Sequence, residues 1–280
     1  MIITSDINAV REFVKKNKKE GKSVALVPTM GYLHEGHASL IAKARKENDI
    51  VVVSIFVNPT QFGPNEDYAF YPRDIDNDAA LCENIGVDLI FNPTPETMYG
   101  KNYYTSVSMN TLTENLCGLS RPVHFGGVCT VVAKLFNIVT PDNAYFGQKD
   151  AQQLAIIRQM TKDLNFDINI VGCPIVREND GLAKSSRNVY LSNEERKSAL
   201  ILSKTIFLAQ KIVREGEKDA KSLLKIMEDN IKSEPRAKID YIKVVDGLTI
   251  QDIEIIEKPT LVAMAVYIGK TRLIDNFIFD

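Results

Sequence analysis

The run of residues 50–57 constrains the fold more than any other part of the chain, because seven of its eight residues are apolar and most are β-branched or aromatic. A strand with one solvated face would alternate apolar and polar residues, so this run is typical of a parallel strand covered on both faces. Further short apolar runs alternate with helically spaced segments. The pattern predicts strands at 23–27, 87–91, 144–146 and 168–171, and helices at 7–14, 36–48, 76–84, 128–139 and 151–164. Such alternation indicates an α/β fold with a Rossmann-like, doubly wound parallel sheet.

The pattern changes after about Pro174. Ser192, with Glu195 three residues later, is typical of the capping box that starts a helix. A second helix is predicted at 219–233, and strands are predicted at 239–245 and 260–267. We therefore expect two domains, a nucleotide- and substrate-binding sheet domain at residues 1–175 and a smaller C-terminal α+β lid domain at 176–280.

Charge and hydropathy exclude several classes of protein. The 34 Lys and Arg residues nearly balance 36 Asp and Glu residues, which argues against a polybasic nucleic-acid-binding surface. No apolar run approaches the roughly 18 residues of a membrane span, and the first residues lack the pattern of a signal peptide. We expect a cytoplasmic protein with neither nucleic acid nor membrane as a partner. Four scattered cysteines without a C-x-x-C motif are expected to be reduced and partly buried.

Two of the three histidines, His34 and His37, lie on either side of Gly36 where a predicted strand leads into a helix. A helix start offers free N–H groups and a positive dipole end to phosphate, and imidazole can donate to phosphate oxygens. The spacing differs from that of a zinc protease. An incidental pair is the alternative interpretation.

Two further predicted strands end in polar loops, the position at which doubly wound sheets bind ligands. Asn58 and Gln61 carry neutral amides that can orient hydroxyls and a carboxylate, although an ordinary Asn-Pro turn is the alternative. In the other loop, Gly147 permits a tight turn, Lys149 supplies a positive charge, and Asp150 is a candidate helix cap.

The fourth loop crosses the predicted domain junction. Lys184, Ser185, Ser186 and Arg187 place two cations and two hydroxyls side by side, as in an anion clamp that domain closure brings over a triphosphate. A flexible polar linker is the alternative for this segment. Gln153, near the start of the helix after Asp150, is expected to face the same crevice as Gln61.

In this order the motifs resemble those of the pantothenate synthetases, or pantoate–β-alanine ligases, a family of the HIGH-type nucleotidylyltransferases. The resemblance runs nearly end to end and includes Pro28-Thr29-Met30-Gly31, Tyr71-Pro72-Arg73 and Arg121-Pro122-Val123-His124-Phe125. Gln148 stands where the family commonly has Glu, and Lys184 where it has Met or Leu. We expect these departures to change nucleotide affinity rather than reaction type.

The resemblance implies a two-step reaction. The carboxylate of pantoate attacks the α-phosphorus of ATP and expels pyrophosphate, and the amine of β-alanine then displaces AMP from the pantoyl adenylate. Mg²⁺ is expected to bridge phosphate oxygens with few protein ligands, and a homodimer is expected because the family forms one. Two alternatives remain open: another nucleotidylyltransferase of the superfamily, and a nucleotide-binding regulatory module without turnover.

The resemblance also implies roles for individual residues. The phosphates are assigned to His34, His37, Lys149, Ser185, Ser186 and Arg187, with Lys184 beside them. The catalytic residues among these are His37, which is the proton donor, and His34, Lys149 and Arg187. The ATP pocket further includes Met30, Gly147, Asp150 and Val176. Pantoate and β-alanine are assigned to Gln61 and Gln153, to which the position of Asn58 adds a third amide.

Overall fold

The computed structural model describes residues 1–64 and 66–280 and divides into two compact units. The first unit comprises residues 1–109, 121–148 and 156–174, and the second comprises 110–120, 149–155 and 175–280. Two internal segments, 110–120 and 149–155, therefore belong to the second unit although they lie within the range that the sequence analysis gave to the sheet domain.

The secondary structure follows the alternation expected from the sequence. The strands are β1 Ile2–Thr4, β2 Val24–Thr29, β3 Ile50–Ile55, β4 Leu89–Phe91, β5 Asn143–Gly147, β6 Asn169–Cys173, β7 Ala237–Asp246, β8 Thr260–Ile268 and β9 Thr271–Phe279. The helices are α1 Ile7–Lys19, α2 Glu35–Glu47, α3 Ile75–Ile85, α4 Pro95–Tyr99, α5 Cys117–Ser120, α6 His124–Val139, α7 Ala151–Asp163, α8 Asn193–Arg214 and α9 Ala220–Lys232.

The first unit is built on a parallel sheet with the strand order β1-β4-β3-β2-β5-β6. Every residue of β3 is buried, which confirms the prediction of a strand covered on both faces. On one face, Leu40, Ile41 and Ala44 of α2 and Cys82 of α3 pack against alternate residues of β2 and β3. The doubly wound sheet is therefore confirmed.

The second unit contains a three-stranded antiparallel sheet, β7-β8-β9, that shares an apolar core with α8 and α9. The capping box at the start of α8 is confirmed, since Ser192 Oγ accepts from the Glu195 N–H and Glu195 Oε2 accepts from the Ser192 N–H. Together these elements form the smaller α+β part of the fold.

The fold differs from the sequence prediction in several places, and three of these have a clear physical reason. Helix α6 starts at His124, four residues earlier than predicted, because Gly126 and Gly127 interrupt the apolar spacing there. Strand β1 has only three residues, too few for a periodic signal. Strand β9 carries Asp275 at a buried position, where an ion pair with Arg177 satisfies the carboxylate.

The four cysteines are all free, and three of them, Cys82, Cys129 and Cys173, are buried. Burial raises the pKa of the Cys82 thiol to about 12 and those of the Cys129 and Cys173 thiols to about 11. Cys117 is only partly buried.

No helix in the part of the chain that the structure describes is long and apolar enough to cross a membrane.

We predict that Ellman's reagent at pH 8 reacts quickly with one thiol of the folded protein, because the thiolate is the reacting species and the three buried thiols stay protonated. Cys117→Ser should abolish this fast phase and leave the slow phase unchanged. In urea all four thiols of the wild-type protein should react. A fast phase that survives in Cys117→Ser would contradict the burial of the other three.

Candidate active site

The candidate site begins at the carboxyl ends of β2, β3 and β5. Strand β2 lies at the centre of the sheet between β3 and β5, and the chain continues outward from it in both directions. This change of direction is where a doubly wound sheet opens a crevice for a ligand. Gln61 Nε2 donates to Met30 Sδ at 3.1 Å, so the loops after β2 and β3 meet there.

The two histidines of the first loop hold each other in place at the start of α2. His34 is the N-cap residue, and its Nδ1 accepts from the Gly36 N–H at 3.1 Å. His37 Nδ1 accepts from the His34 N–H at 3.3 Å, and the two ring centroids are 4.1 Å apart. An Nδ1 that accepts a hydrogen bond carries no proton, so both neutral imidazoles carry theirs on Nε2.

These contacts occupy part of the helix start at which the sequence analysis expected free backbone N–H groups. The N–H of Gly36 is already bonded to His34. The donors that the histidines contribute are instead their Nε2–H groups. The pair therefore combines a capped helix start with two side-chain donors that carry no net charge.

The loop that leads to the histidines depends on a residue that the sequence analysis missed. Asp78 of α3 is buried, and its carboxylate accepts from the N–H groups of Tyr32 at 2.8 Å and Leu33 at 2.6 Å. Burial raises the pKa of this carboxyl, although the two backbone hydrogen bonds act in the opposite direction. Nothing in the sequence distinguishes Asp78 from an ordinary polar residue of an amphipathic helix.

The amides of Asn58 and Gln61 are oriented by their neighbours. Asn58 is 1% exposed, and its Nδ2 donates to Gln61 Oε1 and to the Gly127 carbonyl, each at 3.1 Å. Its Oδ1 accepts from Thr60 Oγ1 at 3.0 Å and from the hydroxyl of Tyr99. Because Gln61 Oε1 is bonded to Asn58, Nε2 is the end of the Gln61 amide that serves as a donor. A direct contact between Asn58 and a ligand would require Asn58 to give up one of these bonds.

The main chain of Gln61 is also fixed. Its carbonyl accepts from His124 Nδ1 at 3.0 Å and from Arg121 Nη2 at 3.4 Å. Arg121 in turn forms an ion pair with Glu66, with Nε donating to both carboxylate oxygens at 3.1 Å. Burial opposes the ionisation of Glu66, but the hydrogen bond and charge of Arg121 lower its pKa overall. The Arg-Pro-x-His motif thus positions Gln61, a role that its sequence did not reveal.

The second unit contains most of the remaining candidate residues. The Lys184 N–H donates to the Val176 carbonyl at 2.9 Å, so the two ends of the segment that joins these residues are held together. Ser185 Oγ accepts from the Arg187 N–H at 3.2 Å and caps the 3₁₀ turn Ser186–Tyr190. Lys149 is anchored through its carbonyl, which accepts from Asn276 Nδ2 of β9 at 2.8 Å.

The candidate residues are therefore divided between the units. The first unit holds Met30, His34, His37, Asn58, Gln61 and Gly147, and the second holds Lys149, Asp150, Gln153, Val176, Lys184, Ser185, Ser186 and Arg187. Within residues 1–64 and 66–280, no group of three or more His, Cys, Asp or Glu residues is arranged to hold a metal ion.

Comparisons with known proteins give one consistent result. A family model described as pantoate-beta-alanine ligase matches residues 2–278. Pantothenate synthetases from Clostridium botulinum (strain Loch Maree / Type A3) and Enterococcus faecalis (strain ATCC 700802 / V583) are each 60% identical to this chain, over 100% of it and 99% of their own length.

Two solved structures agree with this result. Pantothenate synthetase from Thermus thermophilus has a TM-score of 0.94 at 43% identity, over 99% of each chain. Pantoate-beta-alanine ligase from Francisella tularensis, complexed with beta-gamma ATP and beta-alanine, has a TM-score of 0.79 at 36% identity, over 99% of this chain and 97% of that one.

Substitutions at two neighbouring glycines of α6 can measure how closely this helix packs against the turn that carries Gln61. A Cβ on Gly127 would lie 2.5 Å from the Gln61 nitrogen and the Thr60 carbonyl, whereas a Cβ on Gly126 would meet nothing within 4 Å. We predict that Gly127→Ala lowers the free energy of unfolding by about 1–3 kcal/mol through overpacking. Gly126→Ala should raise it slightly, because alanine favours a helix. Urea unfolding of both variants measures the difference, and equal midpoints would refute the close contact.

Proposed function

The chain belongs to the pantoate–β-alanine ligase family, and we propose that its own reaction is the ATP-dependent condensation of pantoate with β-alanine through a pantoyl adenylate. The observation that carries this proposal is the pair of Nε2–H imidazoles at the start of α2, next to the loop of Gln61. The ATP and β-alanine named for the Francisella tularensis relative support the same two substrates here.

In the first step, a carboxylate oxygen of pantoate attacks the α-phosphorus and the bond to pyrophosphate breaks. Negative charge builds on the phosphate oxygens, so fixed donors and correct positioning are what the protein must supply. We assign these donors to Nε2–H of His34 and His37. The family resemblance makes His37 the proton donor, and the bond at its Nδ1 supports donation from Nε2.

The remaining phosphate ligands are proposed from the family resemblance. Lys149 and Arg187 contribute fixed positive charges, while Ser185 and Ser186 contribute hydroxyl donors and Lys184 an additional cation. Met30, Gly147, Asp150 and Val176 are assigned to the rest of the ATP pocket.

Pantoate is assigned to the glutamine amides. Gln61 uses Oε1 to accept from Asn58, so its Nε2 is suited to donate to a hydroxyl or carboxylate oxygen of pantoate. Gln153 of α7 is the second pantoate ligand implied by the resemblance. In the second step, the amine of β-alanine attacks the acyl carbon, the bond from that carbon to the AMP oxygen breaks, and the amine loses a proton. We place β-alanine beside Gln61 as well.

We also propose Mg²⁺ as the metal, a homodimer as the assembly and the cytoplasm as the location. Mg²⁺ prefers oxygen ligands, and the side chains at the ends of β2 and β3 are imidazoles and amides, so phosphate oxygens would supply most of its ligands. When bound, the ion would neutralise phosphate charge. Sedimentation equilibrium of the purified protein tests the dimer.

We predict that the protein releases pyrophosphate from ATP and Mg²⁺ when pantoate is added, and that AMP accumulates in turnover only when β-alanine is also present. Coupled assays for pyrophosphate and AMP measure the two steps separately, with an unrelated hydroxy acid as the control. Equal release with the unrelated acid would favour another nucleotidylyltransferase. No release under any condition would favour a module without turnover.

Two substitutions at His34 distinguish the capping of α2 by Nδ1 from hydrogen-bond donation by Nε2–H. His34→Asn keeps an oxygen near the position of Nδ1 and lacks Nε2–H, so we expect normal stability and a loss in adenylation of about 10²–10³, the usual effect of removing one such donor. His34→Gln places its amide near the position of Nε2 and lacks the cap, so we expect about 0.5–2 kcal/mol less stability with more residual activity. Urea unfolding and pyrophosphate release measure the two effects, and the opposite order of activities would exclude Nε2–H as the functional group.

The same exchange at His37 extends the test to the second ring. His37→Asn is expected to fold normally and to lose adenylation as His34→Asn does. Wild-type rates in His37→Asn would remove its Nε2–H from the mechanism.

A further inference from the structure

Asp78 places a buried carboxylate under the loop that leads to the two histidines. It is 2% exposed, and its two oxygens accept from the successive N–H groups of Tyr32 and Leu33. Successive N–H groups that converge on one point form an anion-binding nest. Here the anion is a side chain of the protein itself, at the start of the path from β2 to α2.

The loop would not keep this conformation unaided. Gly31 and Tyr32 both have left-handed backbones, with φ of +83° and +52°. Tyr32 has a Cβ and is therefore strained there, and such strain persists only where the surroundings hold it. At Gly31 a Cβ would lie 2.9 Å from Ile55 Cγ2 and 3.0 Å from Asp78 Oδ2, so the backbone passes too close for any side chain.

The hydrogen bonds continue from Asp78 into the histidine pair. The N–H groups of Tyr32 and Leu33 end on Asp78, and the next N–H, that of His34, ends on His37 Nδ1. Because these three N–H groups are consecutive, a rotation of the first two away from Asp78 also changes the direction of the third. The orientation of the His37 ring is therefore coupled to the carboxylate of Asp78.

We propose that Asp78 is a positioning residue for adenylate formation, which holds the loop so that the His37 ring keeps its orientation beside His34. This inference rests on the proposed function of the two histidines. Asp78 acts through the loop and the histidines and is not itself assigned a contact with substrate.

The fold alone does not account for a carboxylate at this position. The start of α3 is already capped by Asp74, whose oxygens accept from the N–H and the side-chain amide of Asn77. Burial raises the pKa of the Asp78 carboxyl, and the nearby charge of Asp74 acts in the same direction, so ionisation of Asp78 is unfavourable for folding. A neutral isostere would offer one acceptor to two N–H groups, and the relief of the buried charge would offset the hydrogen bond that is lost.

This difference makes Asp78→Asn the informative variant and Asp74→Ala its matched control on the same helix. Asp78→Asn should keep the wild-type urea midpoint, while the kcat of pantoate-dependent pyrophosphate release falls at least tenfold, or about 1.4 kcal/mol. The KM for pantoate should change little, because Gln61 is held by other residues. Asp74→Ala should lower the urea midpoint and retain activity.

Nitrogen NMR of ¹⁵N-histidine-labelled protein gives a second readout that needs no turnover. The chain has three histidines, and wild-type His34 and His37 should both be Nε2–H tautomers. His124 should be the opposite tautomer, because its Nδ1 faces the Gln61 carbonyl and must donate to it. In Asp78→Asn the signals of His37 should shift or broaden, while those of His124 stay in place as the internal reference.

Each outcome decides the question. Wild-type kcat with unchanged His37 signals in Asp78→Asn would overturn the proposal. So would an unfolded Asp78→Asn, or a fall in activity that only parallels a fall in urea midpoint, since both indicate a role in the fold rather than in the loop. If the wild-type protein itself releases no pyrophosphate, the proposed function fails, and the histidine signals still show whether Asp78 positions the ring.

Discussion

Between β2 and α2 the chain reverses direction over a few residues, and side chains rather than other backbone groups accept the N–H groups of this turn. The N–H groups of Tyr32 and Leu33 end on Asp78, and those of His34 and Gly36 end on the imidazoles. Backbone N–H groups that are shielded from water need an acceptor, so these side chains help to hold the turn in this conformation. The same bonds fix the tautomers of the histidines. The hydrogen bonds that form the turn therefore also direct the protons of His34 and His37 to Nε2.

The sequence was most informative where long regular segments bury apolar residues. The run that became β3 was recognisable because burial on both faces removes the alternation of a solvated strand. The candidate loops could be located because parallel strands bring their carboxyl ends to one edge of the sheet. Both results depend on periodicity and topology, which a sequence displays directly.

Contacts between distant residues were not recognisable. Asp78 lies more than forty residues from the loop it holds, and an isolated Asp in an amphipathic helix gives no sign of which N–H groups it accepts from. The sequence gives no role to the motif that contains Arg121, whereas the structure shows that Arg121 contacts the Gln61 carbonyl. Strand β9 was missed because the paired carboxylate of Asp275 occupies a position where an apolar residue would mark a strand. In each case the role of the residue depends on a partner that is distant in the sequence, and the residue type alone does not indicate that partner.

The orientation of the Gln61 amide also depends on such partners. The Gly127 carbonyl can only accept, so it determines which end of the Asn58 amide carries Nδ2, and Asn58 then determines which end of Gln61 carries Oε1. A rotated Gln61 would place Nε2 against Nδ2 and lose the bond. The end of Gln61 that serves as a donor is suited to carboxylate and hydroxyl oxygens. A backbone carbonyl at the start of α6 therefore determines which group Gln61 presents as a donor, and this orientation supports the proposed role of Gln61 in binding an acid without any charge on Gln61 itself.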